Sequence, residues 1–402
     1  MTDIAMTPDT FCVMPWINLS TDVNGSLRPC CKFAQPGPTN EYQLPNMKDD
    51  TIDVLWNHQG FQNLRQAFLD GIQPKECHQC WEEESAGIKS MRQSFSKGLD
   101  LSKIEFNPIT NSGPIAFDLK LSNVCNLKCR ICGPTASSTL FKEHKERYGF
   151  RIVEDKSDWM YKSEYWLENK FFDTDNEEVF VNWLKDLQHL EITGGEPMTS
   201  PENLKLLKTL DDLDLSKNIT FLMNTNATIV NDKVLQYIKK FKYAQVFLSI
   251  DDINNRYEYQ RFPGNFKTIE DNLKQYKKLQ DENSNVYITI FPTISNFNIF
   301  YLEEIYKWLN EQGVRHFFNI LHYSSYNCIK NLPQRVKNIL IEKYKNSKVE
   351  RIHELLSFLN QPGLDELDLF FNEVNEVDKI RDQKFEIEFN EWYKVLTNAK
   401  IN

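Results

Sequence analysis

Cys125, Cys129 and Cys132 stand in a C-x3-C-x2-C spacing inside the run LKLSNVCNLKCRICGP. Thiolates are soft ligands, and three held this close by the chain point to a metal site, with zinc or iron–sulfur chemistry in view. A protein-only iron–sulfur cluster takes four thiolates, so a set of three leaves one iron open to another molecule. A second group lies upstream, with Cys12, Cys30, Cys31, Cys77 and Cys80. It can supply the four thiolates of a closed site, and four thiolates suit either a zinc ribbon or a [4Fe–4S] cluster. Either Cys30 or Cys31 could join Cys12, Cys77 and Cys80 in that site.

The elements that must position these residues are legible as pattern. Residues 11–32 read as two short strands around the Asn24-Gly25 turn, which puts Cys12 and Cys30 or Cys31 at the open ends of a hairpin. Residues 51–71 have helical apolar spacing and a stop at Gly71, and Cys77-His78-Gln79-Cys80 follows at once. From Pro114 onward, apolar strand-like runs alternate with helical segments, the pattern of repeated βα units and a parallel sheet. The six strand-like runs are 115–121, 187–193, 219–223, 244–250, 286–291 and 315–321, with helices at 137–148 and 302–311 among the connections. The three-cysteine loop sits at the C-terminal end of the first run, where α/β barrels build their active sites. Gly194-Gly195-Glu196-Pro197 occupies the same place after the second run, and two glycines there allow a close backbone approach.

With the cysteine spacing and the Gly-Gly-Glu-Pro loop in register, the chain resembles the radical S-adenosylmethionine (SAM) superfamily. Cys12, the Gly25…Pro29-Cys30 run, the helix with Leu64-Arg65, and Cys77 with Cys80 resemble the SPASM/twitch module of such enzymes. The resemblance implies an α/β fold: a partial (β/α)6 TIM-like radical SAM barrel with a small N-terminal twitch-like cluster-binding module and C-terminal helices. It implies two [4Fe–4S] clusters, one binding SAM and one auxiliary. Cys125, Cys129 and Cys132 would hold the first and Cys12, Cys30, Cys77 and Cys80 the second. The reduced first cluster would cleave SAM to a 5′-deoxyadenosyl radical that takes hydrogen from a substrate. Ile131 would pack near the adenine, Gly194, Gly195 and Glu196 would hold the amino group of SAM, and Ser249 and Arg261 its carboxylate, with Asn224 a further contact. The bland alternative for Arg261 is a salt bridge with Glu258 or Asp251. In most relatives the module follows the barrel, and here it precedes it.

The implied partners are SAM, a reductant such as flavodoxin or ferredoxin, and a peptide, protein or small-molecule substrate. The implied class is a radical SAM oxidoreductase or maturase, working through a net oxidation or cross-link of a peptide or protein side chain. Dehydrogenation of a sugar or other small metabolite, modification of nucleic acid, and an iron–sulfur or zinc protein without SAM chemistry remain open. The formal charge of −10 argues against a broad nucleic-acid surface. No apolar run approaches the ~18 residues of a membrane span, and nine cysteines in clusters fit a reducing, cytoplasmic setting. The expected division is 1–105 for the auxiliary module, 113–325 for the barrel and 326–402 for an amphipathic helical extension, with helices near 333–345, 349–359 and 373–380. Cys328 reads as a buried small hydrophobe. The acidic, aromatic stretch 151–180 either contributes to function or packs on the barrel flank.

Overall fold

A computed structural model describes residues 8–34, 40–148, 170–322 and 324–398. The chain forms two compact units: one takes residues up to 125, 134–224 and 231–245, the other 126–133, 225–230 and 246 onward. The fold is mixed α/β with a mostly parallel sheet and C-terminal helices, the class expected from sequence. Its strands are β1 (Asn18–Thr21), β2 (Leu27–Arg28), β3 (Ala116–Leu119), β4 (His189–Ile192), β5 (Thr220–Thr225), β6 (Tyr243–Leu248), β7 (Val286–Ile290), β8 (Thr293–Ile294), β9 (Arg315–His316) and β10 (Asn319–Ile320). All six strand-like runs of the barrel region are represented.

In the first unit the strands follow the order β2-β1-β3-β4-β5. The β1–β2 hairpin is antiparallel, with Ser20 opposite Arg28, and turns through Gly25 at φ 79°. Its first strand pairs parallel with β3, Ser20 opposite Asp118, so the N-terminal hairpin extends the same sheet. β3 pairs parallel with β4 and β4 with β5, which sets Asp118 beside Glu191 and Glu191 beside Leu222. Side chains alternate across the sheet. Leu190, Ile192, Phe221 and Met223 are buried on one face, while Glu191 and Asn224 lie on the other.

Two N-terminal expectations need correction. Residues Met14–Ile17 form a helical turn rather than a strand, because Pro15 lacks a backbone donor and its fixed φ suits the first turn of a helix. Cys12 therefore precedes a helical turn instead of ending a strand. The expected helix over 51–71 is two helices, Ile52–Trp56 and Gln59–Leu69, broken where the His58 side chain accepts from the Gly60 N–H and caps the second. Its stop at Gly71, φ 75°, is where the sequence puts it.

In the second unit β7 lies between β6 and β9, and pairs parallel with β9. β8 and β10 form a separate two-stranded parallel pair. The helix Phe266–Glu282 buries Phe266, Ile269, Leu273, Tyr276 and Leu279, a three- and four-residue spacing that defines one apolar stripe. Leu302–Gln312 ends at Gly313, whose φ of 64° suits a left-handed helix stop. The C-terminal helices are Gln334–Tyr344, Ile352–Leu359, Leu367–Arg381, Phe385–Glu388 and Asn390–Asn398, so the third is longer than expected and two more follow it. Among the described residues no helix is long and apolar enough to cross a membrane. Most of the acidic, aromatic stretch lies outside the described residues. Of its aromatic residues, Phe171 is fully buried, 4.5 Å from the Phe180 ring and 6.2 Å from that of Phe117, which is packing on the flank of the first unit.

Candidate functional site

The upstream cysteines meet in one small cavity of the first unit. Cys12, Cys30, Cys77 and Cys80 line it together with Met14, Phe33, Phe68, Met91 and Arg92. The four cysteines arrive from three places: Cys12 before the first helical turn, Cys30 just past the hairpin, and Cys77 and Cys80 around the start of the helix His78–Ser85. Burial pushes all four thiols up, and mutual proximity adds to this in Cys12, Cys30 and Cys77. Backbone N–H groups aim at the sulfurs, from Met14 to Cys12, from Lys32 and Phe33 to Cys30, and from Arg92 to Cys80. Four thiols in an apolar pocket, met by backbone donors, fit a [4Fe–4S] cluster, whose potential such donors tune. Among the described residues no three His, Cys, Asp or Glu side chains are placed to hold a single metal ion. A cluster spreads its ligands over several iron atoms and does not need them converged on one point. Cys31 lies elsewhere: it is exposed, and its charged neighbours include Asp118, Glu191 and Lys120.

Arg65 is a fully buried guanidinium on the helix Gln59–Leu69, whose Phe68 lines the cavity. It donates to the carbonyls of Pro15, Trp56 and Pro108 and to the Asn57 side chain, which ties the turn after Cys12 to three other segments. Arg92, which lines the cavity, donates to the carbonyls of Asp9 and Phe11 and to both oxygens of Glu84.

Of the three cysteines, Cys125 belongs to the first unit, and Cys129 and Cys132 to the second. In the first, Cys125 is buried, and its N–H donates to the Ser138 hydroxyl at the start of the helix Ser138–Tyr148. Gly194 and Gly195 sit against the backbone leading into it. A Cβ on Gly195 would lie 2.4 Å from the Val124 carbonyl oxygen, and both glycines have positive φ, 80° and 56°. The Glu196 N–H donates to Val124 O at 2.8 Å. The glycines thus serve a close approach to residues 122–124, not only the approach to a ligand that the sequence suggests. Glu196 is fully buried and accepts from the Met198 N–H. Asn224 donates to Glu191 at 3.3 Å.

In the second unit Cys129 and Cys132 are hydrogen-bonded through their side chains, and the Cys132 N–H donates to the Cys129 carbonyl. Arg261 is 7% exposed. Its Nε donates to Asp251 at 2.7 Å, and another guanidinium nitrogen reaches Cys129 Sγ at 3.9 Å. The Asp251 pair expected only as a surface alternative is therefore a buried one, directed at the cysteine loop. Asp251 is fixed in turn, accepting from the Thr293 N–H. Ser249, at the end of β6, is held by its N–H to the Thr225 carbonyl, and Ile131 is half-buried. Cys328 is buried at 1% exposure, as its isolation in the sequence suggests.

Sequence reasoning missed two groups. On the sheet face of the first unit, Asp118 and Glu191 lie side by side, and Ser20 donates to Asp118 at 2.8 Å. Burial, then Asp118, pushes the Glu191 carboxyl up to about 8. Only strand register brings these carboxylates together, although Asp and Glu in otherwise apolar strands are the signal that could have flagged them. The second is Arg130 within the cysteine loop, whose partner lies far along the chain.

Residues 119–309 match the radical SAM superfamily, and residues 12–81 match an iron–sulfur cluster-binding domain, SPASM. The uncharacterized protein MJ0907 of Methanocaldococcus jannaschii is 25% identical over 268 residues, which span 64% of this chain and 82% of that protein. Among solved structures, native anSMEcpe with bound AdoMet is 17% identical over 66% of this chain and 60% of its own, at a TM-score of 0.37. SuiB of Streptococcus suis bound to the precursor peptide SuiA is 14% identical over 73% of this chain and 52% of its own, at a TM-score of 0.36. The match thus spans about 60% of the solved anSMEcpe chain and about half of SuiB.

Proposed function

The chain carries a radical SAM domain with a SPASM cluster-binding domain ahead of it, a pairing that implies SAM and two [4Fe–4S] clusters, and we propose that it catalyses a net two-electron oxidation or cross-link of a peptide or protein side chain. When bound, the SAM-binding cluster and SAM supply hydrogen-atom abstraction from the substrate.

The chain's own residues do the rest. Cys125, Cys129 and Cys132 supply three thiolates, leaving the fourth position to SAM. Gly194, Gly195 and Glu196 hold its amino group. Ser249 and Arg261 hold its carboxylate, with Asp251 fixing the guanidinium so that no ordering cost falls on binding. Ile131 offers shape to the adenine and Asn224 a further polar contact. Cys12, Cys30, Cys77 and Cys80 ligate the auxiliary cluster, and a reductant such as flavodoxin or ferredoxin delivers electrons from outside. We carry the division 1–105, 113–325 and 326–402 as the functional domains.

The observation that supports oxidation over a redox-neutral reaction is the four-cysteine cavity. Cys12, Cys30, Cys77 and Cys80 would give a cluster there all four of its thiolates and leave no iron open to substrate, so the chemistry it would supply is electron transfer. The test is a pair of variants assayed anaerobically with dithionite. Cys129→Ala should abolish 5′-deoxyadenosine formation, and Cys77→Ala should retain uncoupled cleavage while stopping substrate turnover. Loss of all cleavage in both variants would refute this division of labour.

A further inference from the structure

Between two of the cysteines assigned to the SAM-binding cluster stands Arg130, and its guanidinium is gripped by the C-terminal extension. The side chain is 2% exposed, and Nη2 donates to Asp378 Oδ1 at 2.5 Å and to Gln383 at 2.9 Å. Nε donates to the Tyr259 carbonyl at 3.1 Å, and the guanidinium carbon lies 3.6 Å from the centre of the Tyr259 ring. Tyr259 closes the triangle, its hydroxyl donating to the same Asp378 oxygen at 2.7 Å. The other oxygen of Asp378 accepts from the Phe385 N–H at 2.7 Å, so both carboxylate oxygens are engaged.

The backbone on either side of Arg130 is tied as well. The N–H of Arg130 donates to the Gln260 carbonyl and that of Lys128 to the Phe262 carbonyl, which frames Arg261 between the two bonds. Side-chain and backbone contacts thus fix Cys129 from both ends of the same short stretch, and the residue so framed is the one that reaches its sulfur. The radical SAM match ends at residue 309, well short of Asp378.

We propose that Arg130 and Asp378 are positioning residues: the C-terminal extension latches the cysteine loop and sets the orientation of Cys129 and Cys132 toward the cluster they hold. A buried, charge-assisted, two-sided contact of this kind fixes direction as well as distance. Outer partners of metal ligands affect affinity or activity by about 10–100-fold when removed. This inference rests on the cluster assignment above.

The test compares Asp378→Asn and Arg130→Lys with Trp392→Phe in the full-length, anaerobically reconstituted protein. Trp392 is buried in the same extension, and its hydrogen bonds go to the Asn296 carbonyl and the Tyr301 hydroxyl instead of to the loop. All three should lose some thermal stability. Only the first two should raise the KM for SAM or lower kcat of dithionite-driven cleavage, by about 10-fold or more, and change the electron paramagnetic resonance line shape of the reduced SAM-binding cluster. They should also speed amide exchange in residues 126–133, a readout that needs neither cluster nor SAM. Where Asp378→Asn fails to fold, Tyr259→Phe removes only the hydroxyl that orients the carboxylate.

Exchange and spectra indistinguishable from those of Trp392→Phe would overturn the latch while leaving SAM cleavage intact. Wild-type protein that cleaves no SAM would overturn the functional reading instead, and faster exchange in the two variants would still uphold the latch.

Discussion

Replacing Gly195 by alanine should cost far more than the same change at Gly313, although both residues have positive φ, 56° and 64°. A left-handed backbone costs a non-glycine residue about 1–2 kcal/mol at either position. At Gly313 nothing lies within 4 Å of the added Cβ, so that cost stands alone. At Gly195 the Cβ would meet Val124 O at 2.4 Å, Asn123 C at 2.8 Å and Val124 N at 2.9 Å, all backbone atoms with no side chain to swing aside. Ordinary contact requires a displacement of about 1 Å, and overpacking of this sort costs a further ~1–3 kcal/mol. Gly195→Ala should therefore lose about 2–5 kcal/mol and Gly313→Ala about 1–2, read from urea unfolding of the two proteins under one set of conditions. The displaced backbone leads directly into Cys125, so Gly195→Ala should also lose SAM cleavage while Gly313→Ala keeps it. Equal destabilisation by the two substitutions would refute the reasoning.

Two more outcomes follow from the site geometry. Cys30→Ala should remove about four irons per chain and Cys31→Ala none, because only Cys30 lines the cavity with Cys12, Cys77 and Cys80; iron loss in Cys31→Ala would contradict this. Glu191 titrates at about 8 in the folded chain, pushed there by burial and then by Asp118, with Asn224 and Lys120 opposing. An unfolded glutamate titrates near ~4.3, so between those values the folded state holds a proton the unfolded state has released. Stability should fall as pH rises from about 4.5 to about 8, by an amount on the order of a few kcal/mol. Glu191→Gln should flatten that part of the profile, and parallel curves for the two proteins would count against the shift.

Strands and chemistry were readable in the sequence to different depths. Among the described residues the alternating βα pattern marks every strand from β3 onward except the two-residue β8, because each marked run is short, apolar and bounded by turn residues, and Gly71 and Gly313 end their helices where their left-handed conformations are needed. Cysteine spacing picks out the upstream cysteines that line one cavity, without their geometry. What escaped reading depends on distant pairing. That β1 joins β3 is invisible locally, since the partners Ser20 and Asp118 are separated by 98 residues. The helix break at Asn57 and His58 comes from a cap that competes with a continuous apolar stripe. The last two helices were missed because the short segment 385–398 gains its stability from tertiary contact: Phe385 and Phe389 stack at 4.8 Å and Trp392 stacks on Phe300 at 5.1 Å. Arg130 read as an ordinary loop cation because its partner Asp378 lies 248 residues away.

The central claim, a radical SAM enzyme with two clusters held by separate cysteine sets, is tested most directly by anaerobic iron and sulfide content, measured in wild type and in the Cys125/Cys129/Cys132 triple alanine variant, with SAM cleavage assayed on both. The account predicts about eight irons falling to about four, and 5′-deoxyadenosine from the wild type alone. Wild-type protein that retains no iron after reconstitution, or a triple variant that still cleaves SAM, would contradict it.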